Sequence, residues 1–171
     1  MKQTKHYHKT FDDAAAAALK KITKISESTL GDRNKFKPIE TFLCKWINTL
    51  HNGVDDMESD IELATSVIER AGVEALNWFK ETNTPFNNEE MLTLLCSKQH
   101  DYGHKNITNF GTIGVAIRVC DKIARIENLE NSGVYKNESL LDSYLDIIGY
   151  ALIAVMLNEN SFQLQLKTQQ V

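Results

Sequence analysis

The segment from residue 137 to residue 157 is apolar on nearly all sides, and this property limits the possible folds more than any other part of the sequence. It reads NESLLDSYLDIIGYALIAVML, with large apolar residues at almost every helical position after the first turn. A helix that is apolar around its whole circumference is normally covered by other elements. We therefore expect this segment to form a buried helix.

The remaining chain also carries apolar residues at helical spacing, and the i, i+3 and i+4 repeats predict one buried face per helix. Only two prolines and eight glycines interrupt the chain, and no stretch shows the alternation of a β-strand. The predicted helices cover approximately residues 11–25, 38–50, 55–80, 89–99, 114–129 and 137–157. The sequence therefore predicts an all-α bundle of about six helices.

A chain of 171 residues suits one compact domain. Within it we distinguish a helical N-terminal scaffold (residues 1–85), a helical region with the candidate site (residues 86–160) and a tail (residues 161–171). No apolar run is long enough to predict a membrane span, and the basic, polar N-terminus does not resemble a secretory signal. We therefore expect a cytoplasmic protein without a membrane partner.

The net charge and the cysteines limit which ligands and which cellular compartment we expect for this protein. A net charge of -4 and a pI near 5.7 argue against general nucleic-acid binding, which normally needs a basic face. The three cysteines are far apart and form no CxxC motif, so we interpret them as small buried apolar residues in a reducing compartment. An anionic ligand would have to be bound by a local pocket.

Four charged residues share one face of the predicted helix 114–129. Arg118, Asp121, Lys122 and Arg125 stand at i, i+3, i+4 and i+7, which places them on a single stripe. Taken alone, this pattern is most simply an exposed helix face with a weak ion pair between Asp121 and Arg125. The same stripe could bind phosphate groups, and the helix that follows favours this second interpretation.

Three carboxylates interrupt the apolar segment 137–157. Glu138, Asp142 and Asp146 stand at i, i+4 and i+8 along one side of the predicted helix. Aligned carboxylates repel each other, and burying one is costly unless a cation meets it. A helical hairpin would bring the basic stripe against them, and a divalent cation would neutralise them more completely. Glu138 also fits a first-turn position, where the helix dipole favours negative charge.

The polar segment HDYGHKNITNFG (residues 100–111) lies between two predicted helices. We expect it to be a loop, and loops of this kind often carry functional residues. Its two glycines allow close backbone approach, and it leads directly into the helix that carries the basic stripe. An anion could bind at the start of that helix, although this signal is weak by itself.

Several short blocks of this region together resemble the nucleotide modification associated domain family, which is common in bacteriophages. The blocks are KQHDYG at 98–103, NI and FG at 106–107 and 110–111, the stripe from Arg118 to Arg125, NL at 128–129, and Glu138 to Asp146 followed by GY at 149–150. The family is placed near the all-α nucleoside triphosphate pyrophosphohydrolases, the MazG-like group. The resemblance covers roughly residues 90–156.

The resemblance implies a helical site for a nucleotide or modified nucleotide, with Mg²⁺ as cofactor. The acidic matches are Asp101, Asp121, Glu138, Asp142 and Asp146, and the basic matches are Lys98, Arg118, Lys122 and Arg125. The pyrophosphohydrolase signature is EExxE followed by ExxD, whereas this chain has DKxxR followed by ExxxDxxxD. Nucleotide binding is therefore a better-supported expectation than hydrolysis.

Our leading hypothesis is a Mg²⁺-dependent or Mn²⁺-dependent nucleotide phosphohydrolase or pyrophosphohydrolase of phage type. The metal ligands would be Asp101, Asp142 and Asp146, with Asp121 and Glu138 as catalytic carboxylates. The phosphate-binding residues would be Lys98, Arg118, Lys122 and Arg125, and contacts to the base or sugar would come from Tyr102, Asn106 and Asn109.

Two alternatives use the same residues differently. In the first, the protein binds a nucleotide without hydrolysing it, and either sequesters a signalling nucleotide or regulates nucleotide modification. In the second, the two stripes form a structural network of ion pairs in an interaction module. In each case the apolar helix could also serve an interface, so a homo-oligomer is expected.

Overall fold

The computed structural model describes residues 8–28, 36–51, 57–133 and 139–169. These residues form seven α-helices and no β-strand, so the predicted all-α class is confirmed. The helices are α1 (Phe11–Ser28), α2 (Phe36–His51), α3 (Met57–Glu81), α4 (Asn88–Tyr102), α5 (Lys105–Thr108), α6 (Gly111–Ser132) and α7 (Leu140–Asn158), and a 3-10 turn follows at Lys167–Gln169. The helix that the sequence did not predict is α5, a single turn within the expected loop.

The central element of the bundle is α7, as its apolar circumference predicts. The helices α3 and α6 pack most extensively against it, and α1 also contacts it. Residues in its middle, among them Ile147, Ile148, Leu152 and Met156, are fully buried. With 19 residues and a mean hydropathy of 1.7, α7 is long and apolar enough to cross a membrane, but most of it is buried inside the protein.

The helices α3 and α7 approach each other closely at Gly72. A Cβ atom at this position would lie 2.4 Å from the Cβ atom of Ala151 on α7 and 3.4 Å from Cδ1 of Ile22 on α1. Because packed helices cannot accept such a contact, a larger residue here would push α3 away from α7. Gly72 and Ala151 thus determine how deeply α3 packs against the central helix.

The segment between α4 and α6 is more helical than the sequence predicts. The helix α4 continues to Tyr102 and ends where Gly103 adopts a φ of 63° and donates its N–H to the carbonyl of Gln99 at 2.9 Å. Helices often end at a residue with a positive φ, and glycine adopts such an angle without strain. The helix α6 begins at Gly111 instead of Gly114. The expected loop is therefore reduced to short links on either side of α5.

The C-terminal segment packs onto the beginning of α1. Phe162 is buried, and its ring meets the ring of Phe11 edge-on with a centroid distance of 5.8 Å. The backbone N–H of Phe11 donates to the carbonyl of Gln165 at 2.9 Å, and the N–H of Lys167 donates to Oδ2 of Asp12 at 3.0 Å. These contacts join the two ends of the described chain.

Candidate functional site

The helices α6 and α7 pack face to face, as the hairpin prediction requires. The two helices are antiparallel, and three pairs of residues meet between them. The pairs are Arg118 with Tyr150, Lys122 with Asp146, and Arg125 with Ser143. The guanidinium carbon of Arg118 lies 6.0 Å from the centroid of the Tyr150 ring, at the limit of a cation–π contact. Nη1 of Arg125 donates to Oγ of the buried Ser143 at 2.7 Å. The basic residues of the predicted stripe therefore face α7.

Asp146 is the residue at which α4, α6 and α7 are joined. Its Oδ1 atom accepts from Nζ of Lys98 on α4 at 2.7 Å, and its Oδ2 atom lies 2.9 Å from Nζ of Lys122 on α6. Burial raises the pKa of the Asp146 carboxyl, but the hydrogen bonds from Lys98 and Lys122 outweigh burial and hold this pKa below its ordinary value of 3.8. Asp146 is therefore ionised at neutral pH and is neutralised by two lysines.

Asp142 has a different role from the one that its spacing suggests. Because α7 begins at Leu140, Asp142 stands in its first turn, and Ser139 is the N-cap residue. Oδ2 of Asp142 accepts from the backbone N–H and from the hydroxyl of Ser139, each at 2.8 Å, and the N–H of Asp142 donates to Oγ of Ser139 at 3.2 Å. These bonds form a capping box. The expectation that Asp142 faces the basic stripe is therefore corrected: its carboxylate stabilises the start of α7.

A cleft of about 370 Å³ opens beside Lys98, between α4, α5, α6 and α7. Its wall contains two cations and two tyrosine rings, namely Lys98, Arg118, Tyr102 and Tyr150. Apolar side chains complete it, namely Leu95, Ile107, Ile153 and Phe162. Clefts of this size, with apolar walls and a few polar groups, are typical of small-molecule sites.

Asn106 lines the same cleft and carries an atom without a hydrogen-bond partner. Its Oδ1 atom is buried, and no donor reaches it among the described residues. An unpaired buried polar atom costs about 1–3 kcal/mol, so native structures rarely retain one unless a ligand or water completes it. Asn106 lies on α5, so the helical turn within the expected loop is what brings this side chain to the cleft.

Three further predicted residues, Asp101, Asp121 and Asn109, lie apart from the cleft. Asp101 is two-thirds exposed, and its Oδ1 atom lies 3.1 Å from Nδ1 of the adjacent His100. Asp121 is exposed on α6, and Asn109 is exposed at the end of α5. Glu138 lies outside the described residues. None of the three described side chains lines the cleft.

The carboxylates in the described ranges do not converge on one point. No group of three or more Asp, Glu, His or Cys side chains is placed to hold a metal ion in this part of the chain. Asp146 is neutralised by lysines, Asp142 caps α7, and Asp101 is exposed near the end of α4. A dedicated Mg²⁺ or Mn²⁺ site needs several oxygen ligands directed at the ion. The described carboxylates do not form such a site, and Glu138 lies outside the described residues.

Tyr150 and Ser143 contact the basic residues of α6, although the sequence analysis did not predict either as a site residue. Tyr150 follows Asp146 by four positions and Ser143 precedes it by three, so all three residues lie near one side of α7. The basic residues of α6 have the same spacing in the opposite direction. In an antiparallel hairpin, matching these two spacings would have identified both residues.

The described residues define an all-helical protein with a cleft whose wall carries cationic and aromatic side chains. Residues 98–157 match the model of the family described as nucleotide modification associated domain 1. No curated protein and no solved structure matches the chain. The matched segment includes the charged and aromatic residues Lys98, Tyr102, Arg118 and Tyr150 of the cleft wall.

Proposed function

We propose that this protein binds a nucleotide in the cleft between α4, α5, α6 and α7. The observation that carries the proposal is the composition of the cleft wall, in which two cations and two tyrosine rings surround one cavity. A nucleotide has two matching parts, an anionic phosphate group and a planar base. The family description, which refers to nucleotide modification, supports the same class of ligand.

Lys98 and Arg118 are the phosphate-binding residues in this proposal. Asp146 accepts one of the three N–H donors of Lys98, so other donors of this ammonium group are available to phosphate oxygens. The exposed guanidinium group of Arg118 can bind two phosphate oxygens at once. Lys98 and Arg118 both line the cleft, so two positive charges stand at one cavity and can receive an anion.

Tyr102 and Tyr150 are candidates for stacking against the base. Tyr102 is 68% exposed at the rim, and Tyr150 stands beside Arg118 on the facing helix. Stacking of a base on an aromatic side chain contributes about 1–3 kcal/mol and tolerates different bases. Oδ1 of Asn106 would accept a hydrogen bond from an N–H group of the base, and this bond would satisfy an atom that otherwise lacks a partner.

Binding without hydrolysis is the activity that the described side chains support best. A Mg²⁺-dependent phosphohydrolase or pyrophosphohydrolase would need a carboxylate that is free to bind the ion or to activate water. Asp146 is held by two lysines and Asp142 by Ser139, and the exposed Asp101 and Asp121 do not line the cleft. The protein would then sequester a nucleotide or regulate its modification. A relation to the MazG-like enzymes and a homo-oligomeric assembly are further proposals, which the sequence resemblance supports.

Calorimetric titration of the full chain with ribonucleotides and deoxyribonucleotides tests the binding proposal. We expect at least one nucleotide to bind, and we expect Arg118→Ala to weaken its binding by about tenfold or more, as for other charged hydrogen bonds to phosphate. Lys105→Ala is the matched control, since Lys105 is exposed on α5 and does not line the cleft. Failure of every nucleotide to bind would contradict the proposal.

The same nucleotides distinguish binding from hydrolysis. After incubation with Mg²⁺ or Mn²⁺, the protein is denatured and the released nucleotide is analysed by chromatography. Recovery of the intact nucleotide supports a binding protein. Release of pyrophosphate or phosphate by the wild-type chain, and its loss in Asp146→Asn, would support the phosphohydrolase instead.

A further inference from the structure

Two cysteines that are distant in the sequence meet between α2 and α6. Sγ of Cys44 lies 3.8 Å from Sγ of Cys120, although the two residues are 76 positions apart. Cys44 is exposed and Cys120 is half-buried, and both are free thiols. The structure therefore corrects the interpretation of these cysteines as small buried apolar residues. An oxidant in solvent can reach Cys44, and the second thiol stands next to it.

We propose that Cys44 and Cys120 form an oxidation site, at which hydrogen peroxide or a related peroxide produces an intramolecular disulfide between α2 and α6. In the first step the Cys44 thiol attacks peroxide, which gives Cys44 sulfenic acid and one water. In the second step the Cys120 thiol attacks the Cys44 sulfur, the disulfide bond forms, and a second water leaves. The pair loses two hydrogen atoms, that is, two protons and two electrons, and one peroxide is reduced to two waters.

The surroundings of Cys120 support this order of steps. Burial raises the pKa of the Cys120 thiol to about 12, and the negative charge of a neighbouring Cys44 thiolate adds to this effect. A thiol with a high pKa reacts slowly with peroxide, so the exposed Cys44 reacts first. Once Cys44 carries the sulfenic acid, Cys120 is the adjacent thiol and can attack its sulfur.

The third cysteine provides an internal comparison. Cys96 lies on α4 and is partly buried. Burial, and then the neighbouring Asp12 carboxylate, raise the pKa of its thiol to about 11. The Cys96 thiol therefore has a low reactivity, like that of Cys120. Unlike Cys120, Cys96 has no partner thiol on a facing helix in the described part of the chain. Cys96 should stay reduced under conditions that oxidise the pair.

The disulfide would connect two helices that already pack against each other. The helix α6 carries Arg118 on the side of the cleft, whereas Cys120 is directed toward α2. The cross-link would restrict the unfolded chain by closing a loop of about 76 residues. We expect it to raise the melting temperature by about 5–10 °C without closing the nucleotide cleft. This inference is independent of the proposed function.

The test uses the full chain, first reduced and then treated with one equivalent of hydrogen peroxide. Wild-type protein should lose the mass of two hydrogen atoms, and its free thiols should fall from three to one. Peptide mapping under non-reducing conditions should recover Cys44 linked to Cys120 within one chain. Cys96→Ser should behave like wild type, and Cys120→Ser should accumulate Cys44 sulfenic acid, which dimedone traps.

Three results would overturn the inference. They are a wild-type chain that keeps all three thiols, a chain that gains oxygen without cross-linking, and a disulfide that joins two chains. Mapping of the wild-type protein needs no variant, so poor folding of Cys120→Ser would not prevent the test. The thermal shift should be present in wild type and in Cys96→Ser, and absent in Cys44→Ser.

Discussion

Lys122 and Asp146 form an ion pair between α6 and α7, with 2.9 Å between Nζ and Oδ2 and with side chains that are only 15% and 17% exposed. A pair this protected from water contributes little net stability compared with well-packed apolar residues, because both charges have lost solvent. Removing one partner is much more costly, since the other charge then stays buried without compensation. The pair therefore fixes the relative position of α6 and α7 more than it stabilises the fold.

Lys122→Met should destabilise the protein by about 2 kcal/mol, since Asp146 would keep only the half-exposed Lys98 as a counter-charge. Urea unfolding monitored by circular dichroism measures the change in the free energy of unfolding. The double variant Lys122→Met with Asp146→Asn should recover part of the loss. Exposed Lys105→Met is the control, and an equal loss there would contradict the explanation.

The stability contributed by Asp146 should disappear in acid. Its pKa in the folded protein lies below the unfolded value of 3.8, because the hydrogen bonds from Lys98 and Lys122 outweigh the effect of burial. A carboxyl with a lowered pKa stabilises the fold above its unfolded pKa, and this contribution is lost as the pH falls through the folded pKa.

The difference in unfolding free energy between wild type and Asp146→Asn should therefore be constant near neutral pH and shrink below a pH of 3.8. Denaturant unfolding in a series of buffers, at constant ionic strength, measures this difference. A difference that is the same at all pH values would mean that Asp146 does not titrate between the folded and unfolded states.

Gly72→Ala should destabilise the protein by about 1–3 kcal/mol, the usual cost of overpacking, because its Cβ atom would lie 2.4 Å from that of Ala151. Gly149→Ala is the matched control. Its new Cβ atom would meet only Cε of Met91 at 3.4 Å, so the gain in helix propensity should make that variant neutral or slightly stabilising. Thermal unfolding of both variants provides the comparison, and equal effects would rule out the proposed clash.

Asp142→Ala should lower the free energy of unfolding by about 0.5–2 kcal/mol, the usual effect of losing a helix cap. Nucleotide affinity should stay unchanged, because Asp142 bonds to Ser139 and does not line the cleft. Combining the change with Ser139→Ala should add little, since both residues serve one capping box. Loss of nucleotide binding with full stability would instead assign Asp142 to the ligand.

Asn106→Leu should have opposite effects on stability and on binding. The substitution removes a buried oxygen without a partner among the described residues, so the free protein should gain about 1 kcal/mol of stability. Nucleotide affinity should fall because the proposed acceptor is lost. Unfolding and titration of the same preparation test both expectations, and a variant that is less stable would show that Asn106 has a structural role.

The sequence predicted the helices well because helix formation depends on local information. Apolar spacing located the long helices. In the structure, Thr10 and Asn87 accept hydrogen bonds from the following N–H groups and so act as N-cap residues. The predictions that were wrong concern the ends of helices. The end of α4 and the single turn of α5 depend on backbone conformation at Gly103, which spacing alone does not reveal.

The contacts between α6 and α7 were also predicted in part, because they too depend on which residues share a helix face. The spacing of Arg118 and Lys122 placed both on the side of α6 that faces α7, and the apolar surroundings of Asp146 indicated a carboxylate that needs a counter-charge. The same reasoning treated Asp142 as equivalent to Asp146. A shift of a few residues in the start of α7 puts Asp142 in a capping position instead.

By itself, the sequence determined that the protein is helical and that α7 is its most apolar helix. It also determined that opposite charges face each other on α6 and α7, because side-chain periodicity shows which residues share a helix face. Only the tertiary structure decided that two lysines from different helices meet on Asp146 and that Cys44 lies beside Cys120. Such contacts depend on the depth and register of helix packing. The depth and the register are set by the volumes of residues that are distant in the chain, as at Gly72 and Ala151.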